Sequence, residues 1–190
     1  MKEMRRKDRK MDDKFAYSII DKAEFGTLST IDEDGNPYGI PISFVRYENM
    51  IYIHSAQQGS KIENIKRNPK VCMSFVGDVN VPAPGPAGEL EEAMKDPKTL
   101  GKKASGKFTT EFESTVVFGN ANIVEDNDEK ILGLRLLSEK YCPWNMAYFD
   151  AAIENSLRVT CVIRIDIESI SGKRKKYDKD GVEMKWGRME

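Results

Sequence analysis

Residues 50–76, MIYIHSAQQGSKIENIKRNPKVCMSFV, decide how this chain folds. Met50–Ala56 is rich in β-forming residues and is bounded by Gln57-Gln58-Gly59, so it reads as a strand ending in a turn. Ser60 stands three residues before Glu63, the spacing of a capping box, and Ile62 and Ile65 give the following helix one apolar stripe. Asn68-Pro69 ends that helix, because the residue before a proline is driven out of the α region. Lys70–Val76 reads as a strand again.

The chemistry of this stretch sits at Ser60-Lys61 and at His54, the one histidine of the chain. A helix N-terminus presents backbone N–H groups and partial positive charge, so a hydroxyl and an ammonium there suit a phosphate. A plain capping box with a solvated lysine fits the same residues, and local pattern alone favours that plainer reading. Tyr52, His54 and Ala56 share one strand face, opposite Ile51 and Ile53, which keeps His54 off the face that builds the core.

Upstream, Met11–Glu24 reads as a helix capped by Asp12 or Asp13, with Phe15, Ile19, Ile20 and Ala23 on one face. Phe25–Ile31 and Tyr38–Tyr47 read as two strands joined by Asp32-Glu33-Asp34-Gly35-Asn36-Pro37, whose Asp-Gly is a hairpin signal. Pro41 inside the second strand predicts an edge, since proline has no N–H to give a ladder; a ligand lying against that backbone fits equally.

Downstream, residues 77–107 break the pattern with Val81-Pro82-Ala83-Pro84-Gly85-Pro86 and a run of charges, and are expected as a loop excursion with a short helix near Glu89–Lys95. A lid over a site and a surface loop both fit it. Gly101–Lys107 matches the spacing G-x-x-x-x-G-K, but Phe108 stands where a P-loop needs Ser or Thr and no apolar strand precedes it, so a P-loop is rejected. Phe112–Val124 reads as a strand bending at Gly119, Asp126–Tyr141 as a capped helix, and Leu157–Ile167 as the clearest alternating strand of the chain. Counting gives about six or seven mostly sequential strands with helices outside them, no βαβ alternation and no G-x-G-x-x-G. The expected fold is therefore mainly β: an antiparallel barrel with flanking helices, one domain over residues 1–190.

Thirty basic and 31 acidic residues leave a formal charge of −1, so no field for nucleic acid or membrane is expected. The basic runs Lys2–Lys10 and Lys173–Lys176 read as solvated tails. No apolar run is long enough to span a bilayer, and the charged start has no secretory h-region, so a cytoplasmic protein is expected. Cys72, Cys142 and Cys161 form no C-x-x-C pair, and one histidine cannot complete a zinc site with them, so no metal is expected.

His54–Phe75, together with the start MRRKDRKM and the phrase KFTTEFESTVVFGNA, resembles the pyridoxamine 5′-phosphate oxidase-like, FMN-binding split-barrel superfamily, and within it the branch of the 5-nitroimidazole resistance proteins. The resemblance covers roughly Met4–Gly172. It implies a Greek-key split β-barrel and an FMN-dependent oxidoreductase whose cofactor lies between the two subunits of a homodimer. His54, Ser55, Ser60 and Lys61 would then line the phosphate and ribityl side, and Ile40, Pro41, Ile42 and Ser43 would offer backbone groups to the ring. It also implies a catalytic His54 beside the flavin, positioned to help reduce a nitroimidazole. Many relatives carry a second basic residue where this chain has Ser60, leaving the phosphate one cation fewer. Tyr52, Val116 and Phe118 are expected on the solvent side of the strands, where a second copy would bury them.

Three other readings stay open on sequence. A flavin or haem carrier without turnover would use His54 as its only histidine ligand. Oxidation of pyridoxamine phosphate itself needs further cations, for which Arg158, Arg164 and Arg174 are available. A serine hydrolase ranks lowest of the three, since no G-x-S-x-G elbow is present.

Overall fold

Ile51 and Ile53 point into the core and Tyr52 points away from it, so the alternation of the central stretch becomes a strand with both faces covered. The computed structural model describes residues 3–189, with side chains at all of these but 99, 102, 103, 105 and 106. Met1, Lys2 and Glu190, the ends of the expected domain, lie outside the described residues. In chain order the elements are β1 (Lys10–Met11), α1 (Asp13–Lys22), β2 (Gly26–Ile31), β3 (Pro37–Ile42), β4 (Val45–Tyr47), β5 (Met50–Ala56), α2 (Ser60–Arg67), β6 (Lys70–Asn80), α3 (Glu89–Met94), α4 (Pro97–Lys107), β7 (Glu111–Ile123), α5 (Asn127–Tyr141), α6 (Phe149–Ser156) and β8 (Thr160–Lys175). Three-residue and six-residue 3₁₀ turns precede β1 and α6.

All pairings are antiparallel, in the order β3-β2-β6-β7-β8-β5-β4, with β1 beside β8, so the described residues hold eight strands rather than six or seven. The two end strands of the sheet, β3 and β4, are consecutive in the chain. Only Ser43 and Phe44 separate them. Three residue steps reach at most roughly 11 Å, so the sheet has to roll until its ends meet at that corner. No ladder joins them there, which leaves a split barrel with flanking helices.

The roll encloses Leu28, Phe44, Ile51, Met73, Phe75 and Ile163, to which α1 adds Ile19 and Ile20 and α2 adds Ile62 and Ile65. A smaller cluster of Tyr52, Val124 and Val162 lies on the outer face of β5 and β8. There α5 covers it, with Gly133 closest to the Tyr52 ring and Glu129 accepting the Tyr52 hydroxyl at 3.0 Å. Tyr52 is therefore 2% exposed and is no part of a dimer surface, contrary to the sequence reading. Val116 and Phe118 do point outward from β7, and Phe118 is 40% exposed.

The corner is held by Tyr141 at the end of α5. Its hydroxyl oxygen accepts the Phe44 N–H at 3.0 Å and lies 2.5 Å from the Glu24 carbonyl, to which it donates. Tyr141→Phe leaves a buried N–H without a partner, at a cost of about 1–3 kcal/mol. A lowered denaturation midpoint with an unchanged m-value is the expected measurement; an unchanged midpoint would show that the corner stands without the hydroxyl.

Asp12 and Asp126 cap α1 and α5, accepting from Phe15 and Glu129 N–H at 2.8 Å each. Ser60 does not cap α2, as the capping-box spacing had suggested. Gly59, at φ 117° and ψ 165°, takes the cap position, and Ser60 becomes the first helical residue.

The C-terminal strand is displaced from its predicted range. Leu157 still closes a helical bond to Ile153, and Val159 is exposed, so β8 starts at Thr160. It continues to Lys175, past the predicted end at Ile167. Phe118 pairs with Ser169 but Gly119 pairs with Ile167, so Glu168 is an extra residue in the ladder. The inward set accordingly switches from Cys161, Ile163, Ile165 and Ile167 to Gly172 and Arg174. The excursion at 77–107 is not a plain loop: β6 runs on to Asn80, and α3 and α4 then form a helical hairpin. Gly101–Lys107 lies on α4 after another helix, a context no P-loop has; the side chains at 102, 103, 105 and 106 lie outside those described.

Candidate functional site

β3 is an edge strand, as Pro41 predicts. The Asp32 N–H bonds the Asn36 carbonyl at 2.9 Å and sets the phase of the hairpin. In an antiparallel ladder bonded and non-bonded pairs alternate, so Thr30–Tyr38, Leu28–Ile40 and Gly26–Ile42 exchange hydrogen bonds. Pro37, Gly39 and Pro41 turn their backbone groups outward. Ile40 and Ile42 therefore spend their N–H and C=O on β2, and of the residues expected to meet a ring only Pro41 and Ser43 have free backbone. Along 37–41 the outer edge offers three carbonyls and one N–H, that of Gly39.

The second part is the end of β5 and the start of α2. The Ser60 and Lys61 N–H groups lie ahead of the first intrahelical donors; the Ile62 and Glu63 N–H groups both reach the Gly59 carbonyl, at 2.8 and 3.1 Å. A Cβ on Gly59 would meet nothing within 4 Å, so the space before the helix is open. Lys61 is half-buried and has no carboxylate partner among the described ion pairs. Burial lowers its pKa.

His54 stands on the outer face of β5, opposite Val162 of β8. Its pKa is pushed below 6.5, first by desolvation of the ring and then by the Lys61 charge. One side of the residue is open to solvent all the same. His54 and Lys61 are thus electrostatic neighbours. Ser55 is not with them: it points to the opposite face, and its hydroxyl donates to the Ala56 carbonyl at 2.7 Å.

Of the arginines proposed for a second phosphate, Arg164 is bound to Glu129 and Asp166, each at 2.8 Å. Arg174 is 2% exposed and is covered by the Arg188 carbonyl and Met189 Sδ. Only Arg158 is exposed. Two of the three arginines named for pyridoxamine-phosphate oxidation are therefore committed elsewhere, a fact that no spacing rule reveals. The fold also gathers Lys66, Lys130 and Cys161 behind Lys61, from three separate elements that no local spacing connects.

A rolled antiparallel sheet split at one corner, with helices packed outside it, defines the class of the split-barrel proteins. Residues 12–174 match the pyridoxamine 5′-phosphate oxidase family, and the chain belongs to it. Among curated proteins none matches the chain. Among solved structures it is similar to a provisionally assigned 5-nitroimidazole antibiotic resistance protein from Bacteroides thetaiotaomicron VPI-5482 (22% identity, 86% of this chain and 84% of that one, TM-score 0.62). It is also similar to the flavocytochrome Anf3 from Azotobacter vinelandii (18%, 90% and 72%, TM-score 0.66). A third is the FAD- and haem-binding protein from Mycobacterium smegmatis (17%, 91% and 77%, TM-score 0.68). At these identities the similarity establishes the fold. Among the described residues no helix is long and apolar enough to cross a membrane.

Proposed function

We propose that this chain binds a flavin mononucleotide and acts as an oxidoreductase of the nitroimidazole-reducing type. The observation that carries the reading is Lys61: a half-buried ammonium without a carboxylate, beside two free N–H groups, at a helix start open to solvent. A phosphate supplies the missing charge and accepts those N–H groups. Family membership and the flavin-binding proteins among the structural neighbours support the same assignment.

The residues present fit the cofactor. The backbone of Pro41 and Ser43 would offer hydrogen-bonding groups to a flavin ring, and Ser60 and Lys61 would hold its phosphate. When bound, the flavin supplies hydride or single electrons to an acceptor. The protein contributes position and a proton. His54, on the solvent-facing side of the β5 end, holds a proton on its imidazole and can hand it to an acceptor bound alongside.

Five cavities among the described residues are lined by residues other than His54, Lys61 and 40–43 of the site. We propose that a second copy completes it, seated on the outer face that carries Val116 and Phe118. Sedimentation is expected to give a dimer at micromolar concentration; a monomer that still retains flavin would overturn the shared site.

Lys61→Ala is expected to weaken FMN binding by about 1.5–3 kcal/mol, the range for a hydrogen bond to a charged group. Fluorescence titration of FMN into apoprotein measures it. Equal affinity would move the phosphate away from Lys61, with Lys66 and Arg67 next along the helix. The spectrum of the purified protein tests the cofactor: flavin bands support the reading, and a Soret band alone would replace it with a haem carrier.

A further inference from the structure

Behind Lys61 the structure closes a second cationic space. A cavity of about 240 Å³ lies between α2, the end of β7, the first turn of α5 and the start of β8. Lys66 and Lys130 line it, with Gln57, Thr160, Cys161 and Val124, and no aspartate or glutamate does. Cys161 is buried, which raises the pKa of its thiol, and Lys130, Lys61 and Lys66 all act on it in the opposite sense. Two ammonium groups, Lys66 and Lys130, therefore line one small cavity, together with the apolar side chains of Ile62 and Ile123.

Two carboxylates at the start of α5 have other partners. Asp126 accepts the Glu129 N–H at 2.8 Å as the cap of α5. Glu129 takes Arg164 at 2.8 Å and the Tyr52 hydroxyl at 3.0 Å. None of Lys61, Lys66 and Lys130 has a described ion pair. Like charges lining one cavity repel one another, and an anion between them relieves that repulsion.

The hydrogen bonds left over define what fits. Lys130 gives one donor to the Leu157 carbonyl at 3.2 Å and keeps two. The Thr160 hydroxyl donates to Ser156 O at 2.9 Å, and Gln57 Nε2 donates to Arg158 O at 2.5 Å. The free donors are thus the ammonium groups, and they call for a group with several acceptor oxygens. The volume is below that of a drug-sized pocket, so a small anion fits better than a whole cofactor.

We propose that this cavity is a second anion site, taking a phosphate-class group on Lys66 and Lys130, adjacent to the helix start but separate from it. The site rests on the cavity and its cations. Only one of its two possible sources, the second phosphate of a dinucleotide flavin, rests on the flavin reading; the other is a free phosphate-bearing molecule.

Binding of labelled inorganic pyrophosphate to the full-length protein in excess FMN tests it. One saturable equivalent per chain is expected, weakened at least about tenfold in Lys66→Gln and lost in Lys66→Gln/Lys130→Gln, since each removed contact to a charged group is worth roughly that factor. No saturable binding to the natural protein, or undiminished binding to Lys66→Gln and to the double variant, overturns the proposal. Lys66 is exposed, so Lys66→Gln decides alone if the double variant does not fold. Replacing FMN by FAD distinguishes the sources: pyrophosphate excluded by FAD assigns the site to a dinucleotide flavin, and pyrophosphate retained beside FAD assigns it to a free ligand. Flavin absorbance of the same samples reports separately on the flavin reading, because Lys66-dependent pyrophosphate binding without retained flavin would leave this site standing and remove that one.

Discussion

Gly119→Ala is expected to cost a large share of the folding stability, about 3 kcal/mol or more. A Cβ at Gly119 would sit 2.2 Å from the Asp166 carbonyl oxygen and 3.1 Å from its carbon, with Ile165 Cγ2 at 3.2 Å. The first two are backbone atoms of the neighbouring strand and have no rotamer by which to escape. Gly119 also stands where the β7–β8 register shifts around Glu168, so separating the strands to admit a methyl group strains the ladder on both sides. Overpacking a core costs typically 1–3 kcal/mol, and a contact with rigid backbone belongs at or above the upper end, about 3 kcal/mol or more. That is a large share of the roughly 5–15 kcal/mol by which such domains are stable. Chemical denaturation of the purified variant measures it. Gly39→Ala is the control: its nearest neighbours are 3.8 Å away, and it should be nearly neutral. A loss below about 1 kcal/mol for Gly119→Ala would show that the bulge absorbs the methyl group.

His54→Ala is expected to retain flavin and lose turnover by roughly 10²-fold, the usual worth of a positioned proton donor. Single-turnover reoxidation of pre-reduced protein by a nitroimidazole, with flavin content measured in the same sample, reads both. Normal reoxidation would sink the catalytic role; joint loss of flavin and turnover would make His54 a cofactor contact. The pH profile adds a sign. Desolvation and Lys61 hold the imidazole below 6.5, so at neutral pH it is mostly unprotonated. Turnover that needs the imidazolium should therefore rise as pH falls through 6.5 and level off below the folded-state pKa. Being the only histidine, His54 gives a single imidazole resonance whose titration can be followed without assignment. The same shift acts on stability: the unfolded chain binds this proton more readily, so His54 makes the fold less stable as pH drops below 6.5.

Local pattern made much of the barrel legible. Ile51 and Ile53 against Tyr52 and His54, Pro41 as an edge marker and Asp126 as a cap all follow from period and chemistry within a few residues. What failed was set at long range. The inward positions of β8 change parity at Glu168, and that extra residue is visible only opposite Phe118 and Gly119. Tyr52 looked like surface until α5, more than 70 residues later, was found to cover it. Ser60 carried a capping-box spacing, but the open conformation of Gly59 moved the helix start by one residue. At the candidate site, the helix start pointed to Lys61 and the resemblance to His54, which the fold makes electrostatic neighbours, but neither showed Ser55 turning to the other face or β2 consuming the backbone of Ile40 and Ile42.

The proline-bearing border of β3 has a consequence for solubility. A rolled sheet that does not close leaves two borders at which a strand of another molecule could add, and such borders seed aggregation. Here one border, β4, is three residues long. The other presents a single donor, Gly39, between two prolines that have none, so an incoming strand would find carbonyls facing carbonyls. Copies of this chain are thereby discouraged from joining border to border and from running on strand by strand as a fibre.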